Sequence, residues 1–593
     1  MPDAADIAAG PFLGVERSAT GKRWCLRPAV DRTVRALAQR HGLSDTLSRV
    51  LVARGIGLEE AATHLNPTLK ALLPDPFVLK DMDRTTERLV RAIAGDEPIA
   101  IFGDYDVDGA TSTALWVRYL RALGRDARIY IPDRLAEGYG PNAPALEALA
   151  RDGIGLVITV DCGITAFEAL QRGRAAGLDI IVIDHHAAES RLPPATAIVN
   201  PNRLDDDSGL GQLAACGVVF ATLVALNRRL RDEGWFAGRA EPNLLGLLDL
   251  VALGTICDVV PLVGLNRALV VQGLKVLEQR GNTGLAALIE VAAIRDRLSA
   301  YHAGYLLGPR INAAGRIGEA DLGARLMSTE DPGEAAVIAR KLDAHNLDRR
   351  AIEQAVLDEA IAAVEAGGHE DETIIVLDGE DWHPGVIGII AGRLRERYDR
   401  PVCVLGWEGD TGKASGRSMP GIDLGAAVIE ARNKGLLLSG GGHPMAAGFT
   451  VERHRLADLR AFLAAHVTRQ AAGPLVPVLD LDAALGVAAA SPDLALDLER
   501  LGPYGAGNEE PRFVLADTRV VSSREVGSGH LQCILADATG ARLKAIAFRA
   551  LGTPLGDSLL AAGAMPLHVA GTLKVDRWQG RKGAQFQIED VAS

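Results

Sequence analysis

The chain has 593 residues, 48% hydrophobic and 4% aromatic, with a formal charge of −13. That length exceeds a single hydrophobic core, so three or four domains are expected, and the composition excludes a disordered chain. The most apolar stretch, "LLGLLDLVALGTICDVVPL", carries Asp249 and Asp258 and falls short of a spanning helix, so no membrane association is expected. The N-terminus lacks a basic segment followed by an apolar one, and six scattered cysteines form no CxxC pair. Both features point to reduced thiols in a cytoplasm. The negative charge argues weakly against a nucleic-acid partner, because a carboxylate metal site adds to the count and a basic groove can coexist with acidic surface elsewhere.

Residues 1–75 read as an N-terminal segment of short helices and loops, ending at "LNPTLKALLPDP". From Glu97 a strand–loop–helix pattern repeats, with strands "PIAIFG", "ARIYIP", "GLVITV" and "DIIVID". Near-continuous apolar strands alternating with helices predict a parallel sheet covered on both faces, with its ligand site beyond the carboxyl ends of the strands. This α/β domain is expected over 76–300. A helical connector follows over 301–367, most of it one long polar helix beginning "DPGEAAVIARKL". A second α/β domain is expected over 368–472, and short strands over 473–593 fit a C-terminal barrel of the OB type, with a helix between its third and fourth strands.

The stretch "FGDYDVDGATST" places Asp104, Asp106 and Asp108 directly after the first strand of the sheet. Asp161 ends "VITVD", Asp184, His185 and His186 end "IVIDHH", and Asp258 follows the helix of "LGTIC". Each motif alone has a plain reading as a turn, a cap or a surface pair. Together they deliver five or six carboxylates and two imidazoles to one edge of one sheet, which only cations can neutralise. Oxygen ligands with one or two histidines suit Mn²⁺ or Mg²⁺ better than zinc, and the ligand number suits two ions.

These residues resemble the DHH phosphoesterase superfamily, whose name is the triplet Asp184-His185-His186. Further motifs extend the resemblance over most of the chain: "GPRINAAGRIGEADLGARLM", "WHPGVIGIIAGRLRERY", "ASGRSMPGIDL", "GGGHPMAAGF" and "GPYGAGNEEPRFVL". The resemblance implies a single-strand-specific 5′→3′ DNA exonuclease of recombination and repair that uses two divalent cations, Mn²⁺ or Mg²⁺, and releases 5′-mononucleotides. It also implies a DHH domain, a DHHA1 substrate-binding domain and an OB domain, and as partners single-strand-binding protein and a helicase. Carried over residue by residue, Asp104, Asp106, Asp108, Asp161, His185 and Asp258 form the metal shell with Asp161 as bridge. His186 faces the scissile phosphate, and Asp184 is structural. Arg134, Arg310, Arg316, Ser415 and Arg417 hold phosphates, as the bidentate fork of arginine allows. Gly441 and Gly442, ahead of His443, let backbone amides approach the strand, with His383 a further substrate contact.

Two points stay open on the residues themselves. The loop "VDRWQGRKGAQF" groups Arg577, Arg581 and Lys582 around Trp578, which is either an aromatic platform for single strands or a solvent-exposed hairpin tip. The same metal shell could also serve a phosphodiesterase of short oligonucleotides or cyclic dinucleotides. A non-catalytic replication scaffold predicts missing acidic positions, yet all are present.

Overall fold

A computed structural model describes residues 10–134, 136–369, 372–470, 476–563, 565–577 and 583–593. The N-terminal segment contains short helices, as expected, and also a strand, β1 (Arg23–Leu26), that runs parallel to Val478–Leu481 at the far end of the chain. A four-residue strand with so distant a partner leaves no local periodicity to read.

The first sheet has five parallel strands: β2 (Ile99–Phe102), β3 (Ala127–Tyr130), β4 (Leu156–Val160), β5 (Asp179–Ile183) and β6 (Ala197–Val199). Their order is β3-β2-β4-β5-β6. Every residue of β2 and β4 is buried, because helices cover both faces. The chain leaves β2 toward β3 and then returns across it to β4. Their connections therefore diverge, and a crevice opens at the carboxyl ends of β2 and β4. Three helices border it: α1 (Val107–Ala122), α2 (Ala215–Asp232) and α3 (Leu248–Cys257). The sequence analysis does not foresee β6, whose three residues are too few to show a pattern.

A π-helical turn (His302–Leu307) runs directly into α4 (Gly308–Ile317). The long helix α5 (Pro332–Gly367) then spans 36 residues, about 54 Å at 1.5 Å per residue. Asp331 caps its start by accepting from Gly333 N, and Gly368 ends it in the left-handed conformation. Its first half packs Ala335, Ile338 and Leu342 against the core of the first α/β domain, and its second half packs Val356, Ala360 and Val364 against the next domain. It thus connects two cores, the role expected of it. The second sheet holds β7 (Ile375–Glu380), β8 (Val402–Glu408), β9 (Thr411–Arg417), β10 (Ser439–His443) and β11 (Ala446–Glu452) in the order β10-β11-β9-β8-β7, with α6 (Ile387–Tyr398) packed on β8 and β9.

After β12 (Val478–Leu481), the partner of β1, come β13 (Ala483–Leu485), β14 (Arg512–Val526), β15 (His530–Ala536), β16 (Arg542–Ala547), β17 (Leu567–Asp576) and β18 (Gly583–Ala592). They form one sheet that β14–β17 pairing closes into a barrel, and helix Pro554–Ala561 sits between β16 and β17. Leu37, Leu47 and Leu51 of the N-terminal segment share a core with Phe513, Leu531 and Phe586, so the two ends of the chain fold together. Arg54 binds Asp482 through two bonds of 3.1 Å, with side-chain exposures of 12% and 2%. Among the described residues no helix is long and apolar enough to cross a membrane.

Removing one partner of a buried ion pair leaves the other charge uncompensated, at a cost of about 3–5 kcal/mol. Asp482→Ala is therefore expected to lower hydrogen-exchange protection in residues 31–53 and in the barrel, and to leave the five-stranded parallel sheet unchanged.

Candidate metal centre and phosphate pocket

The crevice is built by tight turns. After β2 the chain bends so sharply that a Cβ on Gly109 would lie 2.6 Å from the backbone nitrogen of Asp104; only glycine fits. Asp106 is the N-cap of α1 and accepts from Gly109 N at 3.0 Å. Asp108, 1% exposed, accepts from Ala215 N (2.6 Å) and Cys216 N (2.9 Å) at the start of α2, where the helix dipole favours a carboxylate. Asp161 follows β4 with φ of 60°, a strained conformation for a residue with a side chain. Asp258 is the C-cap of α3 and reaches the crevice from the other side.

The histidine pair divides its tasks. The Nδ1–H of His185 donates to the Leu213 carbonyl at 3.1 Å, which leaves Nε2 3.3 Å from Asp161 Oδ1 and 3.6 Å from Asp258 Oδ2. Asp184 is fully buried and accepts from the backbone of Ile164, His185 and His186 and from His186 Nδ1 at 2.8 Å. Burial opposes ionisation of Asp184, but these bonds hold its pKa below the usual carboxylate value. Burial alone would likewise lower the pKa of His186, yet the bond and charge of Asp184 raise it to about 9. The Asp184 bond thus favours the protonated ring of His186, whose side chain is 45% exposed.

Three ligand sets lie within 4.8 Å: Asp104, Asp106 and Asp161; Asp108, His185 and Asp258; and Asp161, His185 and His186. Asp161 and His185 each belong to two of them. Asp104 Oδ1, His185 Nε2 and Asp258 Oδ2 are buried without any hydrogen-bond partner. Burial first, and neighbouring carboxylates second, push Asp104 and Asp258 up to about 8, and raise Asp161 well above the ordinary range. Among the described residues no arginine or lysine forms an ion pair with any of these carboxylates. Orphaned polar atoms and unneutralised charge converge on one point, so the residues fit a pair of hard divalent cations. Burial raises the pKa of the nearby Cys162, Cys216 and Cys257, which keeps them thiols and disfavours a zinc–thiolate site.

Next to the carboxylates lies a second, positively charged site. A cavity of about 350 Å³ between the catalytic and second domains is lined by Arg134, Arg316, Lys413, Ser415 and Arg417. Arg316 donates to the Gly385 carbonyl at 2.6 Å, and burial, then repulsion from Arg134 and Arg349, lowers its pKa to about 10. Arg417 donates to Ser415 Oγ (3.2 Å) and to the Gly416 carbonyl (2.9 Å). Among the described residues no carboxylate pairs with Arg134, Arg316 or Arg417. Their positive charge faces an empty volume suited to an anion.

Other predicted residues stand elsewhere. Arg310 binds Asp343 (2.9 Å) and the Leu306 carbonyl (2.7 Å) and does not line the cavity. Gly441, Gly442 and His443 lie on β10, an edge strand. Gly442 is required by packing, since a Cβ there would lie 2.4 Å from the Ala446 carbonyl; at Gly441 the space is open. His383 accepts from Gly385 N at 3.0 Å, beside the cavity residue Pro384. Trp578 and Arg581, with Lys582, lie outside the described residues. Three residues missed by the sequence analysis position the site: Asn312 accepts from Val107 N (3.1 Å), Tyr139 donates to the Asp161 carbonyl (2.8 Å), and Asn200 donates to the His186 carbonyl (2.9 Å). Only "VNPNR", polar residues after an apolar triplet, carried a signal for the last.

The DHH family N-terminal domain model matches residues 98–255, the DHHA1 domain model 371–469 and the RecJ OB domain model 481–590. The first two, with the carboxylate crevice, define a metal-dependent phosphoesterase of the DHH class. The single-stranded-DNA-specific exonuclease RecJ of Salmonella typhimurium is 36% identical over 93% of this chain and 96% of its own length. Crystal structures of RecJ from Thermus thermophilus with Mn²⁺ and with Mg²⁺ superpose with TM-scores of 0.81 and 0.75, at 31% and 30% identity. Each covers 97% of this chain, and 80% and 79% of the respective structure. The chain belongs to the RecJ family.

The raised carboxylate pKa values fix a pH dependence. A group at about 8 when folded and 3.8 when unfolded binds more protons in the folded state between those values, so metal-free stability falls as pH rises through that window. In chelator the thermal midpoint is expected to drop between about pH 5 and pH 8, and saturating Mn²⁺ to flatten that slope. Asp104→Asn is expected to raise the midpoint in chelator at pH 8 and to reduce the Mn²⁺-induced shift.

Proposed function

We propose that the protein is a single-strand-specific 5′→3′ DNA exonuclease that hydrolyses the 5′-terminal phosphodiester and releases 5′-mononucleotides in DNA recombination and repair. The observation that carries this reading is the position of Tyr105. It separates Asp104 from Asp106, packs on Gly315 of α4, and lies 5.3 Å from the Arg134 guanidinium. The cationic cavity and the carboxylate cluster therefore adjoin, and a terminal phosphate held by the first sets the following linkage at the second.

Asp104, Asp106, Asp108, Asp161, His185 and Asp258 would hold two divalent cations, Mn²⁺ or Mg²⁺, with Asp161 between them. When bound, the ions neutralise the carboxylates, lower the pKa of water and stabilise charge on the reacting phosphate. His186, protonated and oriented by Asp184, donates a hydrogen bond to a non-bridging oxygen or a proton to the departing 3′-oxygen. Arg134, Arg316, Ser415 and Arg417 receive the 5′-phosphate and so fix cleavage at the first linkage, while Arg310, tied to Asp343, supports α4. Gly441, Gly442, His443 and the loop of Trp578 and Arg581 contact the strand farther along. A cleft between two α/β domains joined by α5 admits one strand and excludes a duplex. Free cysteines at all six positions favour a reducing cytoplasm. Single-strand-binding protein and a helicase, as suppliers of substrate, belong to this proposal.

A 5′-labelled single-stranded oligonucleotide with Mn²⁺ tests the reading. Asp161→Ala is expected to abolish hydrolysis and preserve strand binding. Arg417→Ala is expected to reduce the preference for 5′-phosphate over 5′-hydroxyl ends by about tenfold or more, the worth of one charge-assisted contact. Equal turnover of blunt duplex and single strands would refute the proposal.

A further inference from the structure

Two tyrosines at the π-helical turn belong to neither site. Tyr301 and Tyr305 are 59% and 72% exposed, yet their rings stack on one another at 5.3 Å and 25°. Large apolar side chains so exposed and ordered as a pair are uncommon surface residues. Tyr301 is the N-cap of the π-helical turn and Tyr305 lies within it, and such turns occur frequently at functional sites. His302 braces the pair from below: its ring meets Tyr301 edge-on at 5.7 Å, and its Nδ1 accepts from Ser299 N at 3.1 Å.

Their location decides what they serve. Cys257 Sγ donates to the Ala303 carbonyl, and a Cβ on Gly308 would lie 2.4 Å from the same sulfur, so this turn is packed against the residue that precedes Asp258. The turn continues into α4, which ends with Arg316 in the cationic cavity. One continuous helical segment thus carries the tyrosine pair at its start and a phosphate-cavity arginine at its end, about 16 Å from Tyr305 and about 22 Å from Tyr301 at 1.5 Å per residue. Between them it touches the loop that carries Asp104, Asp106 and Asp108, through Asn312 on Val107 N and Gly315 on Tyr105.

We propose that Tyr301 and Tyr305 form a stacking platform for bases of the substrate strand downstream of the scissile linkage. The proposal rests on the exonuclease reading above. Every base offers a π-face, so a tyrosine pair holds the strand without sequence preference, and duplex pairing would withhold those faces. The platform would keep the shortened strand registered while its new 5′ end moves into the cavity.

The test uses the full chain with Mn²⁺ and a set of 5′-phosphorylated oligonucleotides, each with one abasic site at a successive position. One or two abasic positions are expected to raise the KM of the wild-type protein by about tenfold, with kcat little changed. Tyr305→Ala is expected to raise the KM on intact strands by a similar factor and to erase the penalty at those positions, whereas Tyr305→Phe and Tyr305→Trp retain both. An abasic profile unchanged by Tyr305→Ala, or loss of activity that Tyr305→Phe does not rescue, would overturn the platform. A wild-type protein that leaves every strand intact would instead overturn the exonuclease reading.

Discussion

Buried negative charge without a protein counter-charge is the constraint around which the structure is organised. Four of the six acidic side chains near the crevice are almost completely removed from water, and their mutual repulsion acts against folding. The chain offsets this only in part: Asp108 with the amides at the start of α2, Asp106 with the amide of Gly109, and Asp184 with three backbone donors and His186. What remains, on Asp104, Asp161 and Asp258, has no arginine or lysine partner among the described residues. An arrangement of this kind persists because the binding energy of cations is folding energy for the site that receives them.

The cationic cavity is the complementary case. Arg316 and Arg417 are depleted of solvent and of carboxylates, so their charge is as uncompensated as that of the aspartates. Two opposed, unneutralised charges in neighbouring cavities would collapse into salt bridges if side chains could reach. Tyr105 and the backbone of α4 keep them apart. The separation is set by rigid elements, β2 on one side and α4 on the other, and so fixes the spacing between anion and cation sites better than loops could.

Most of this was legible in the sequence where chemistry concentrates at the ends of strongly apolar strands. "PIAIF", "LVITV" and "IIVID" each read as a buried parallel strand, and each is followed at once by ligands, so the metal cluster could be inferred before any coordinates. The long helix was visible from length and polarity, and the barrel from its short strands. Three things were not. The pairing of β1 with β12 depends on a contact between chain ends, which no local window contains. The retirement of Arg310 from the phosphate cavity depends on Asp343, one helix away, and "GPRIN" gives no sign of which arginine turns inward. The need for Gly442 to be glycine likewise comes from its hairpin partner in β11.

The long helix α5 relates these observations to one another. Its two halves bury their apolar faces in different cores, and between them lie Arg349 and Glu353, 9% and 2% exposed, with Arg393 of α6 reaching the same glutamate. A helix held at both ends by apolar packing and in the middle by a buried ion cluster resists bending. The cavity of Arg134, Arg316 and Arg417 draws its walls from both domains, so its width is set by how firmly this helix holds them. Selectivity for a single strand would then follow from rigidity, since a gap held at fixed width needs no moving part to refuse a duplex.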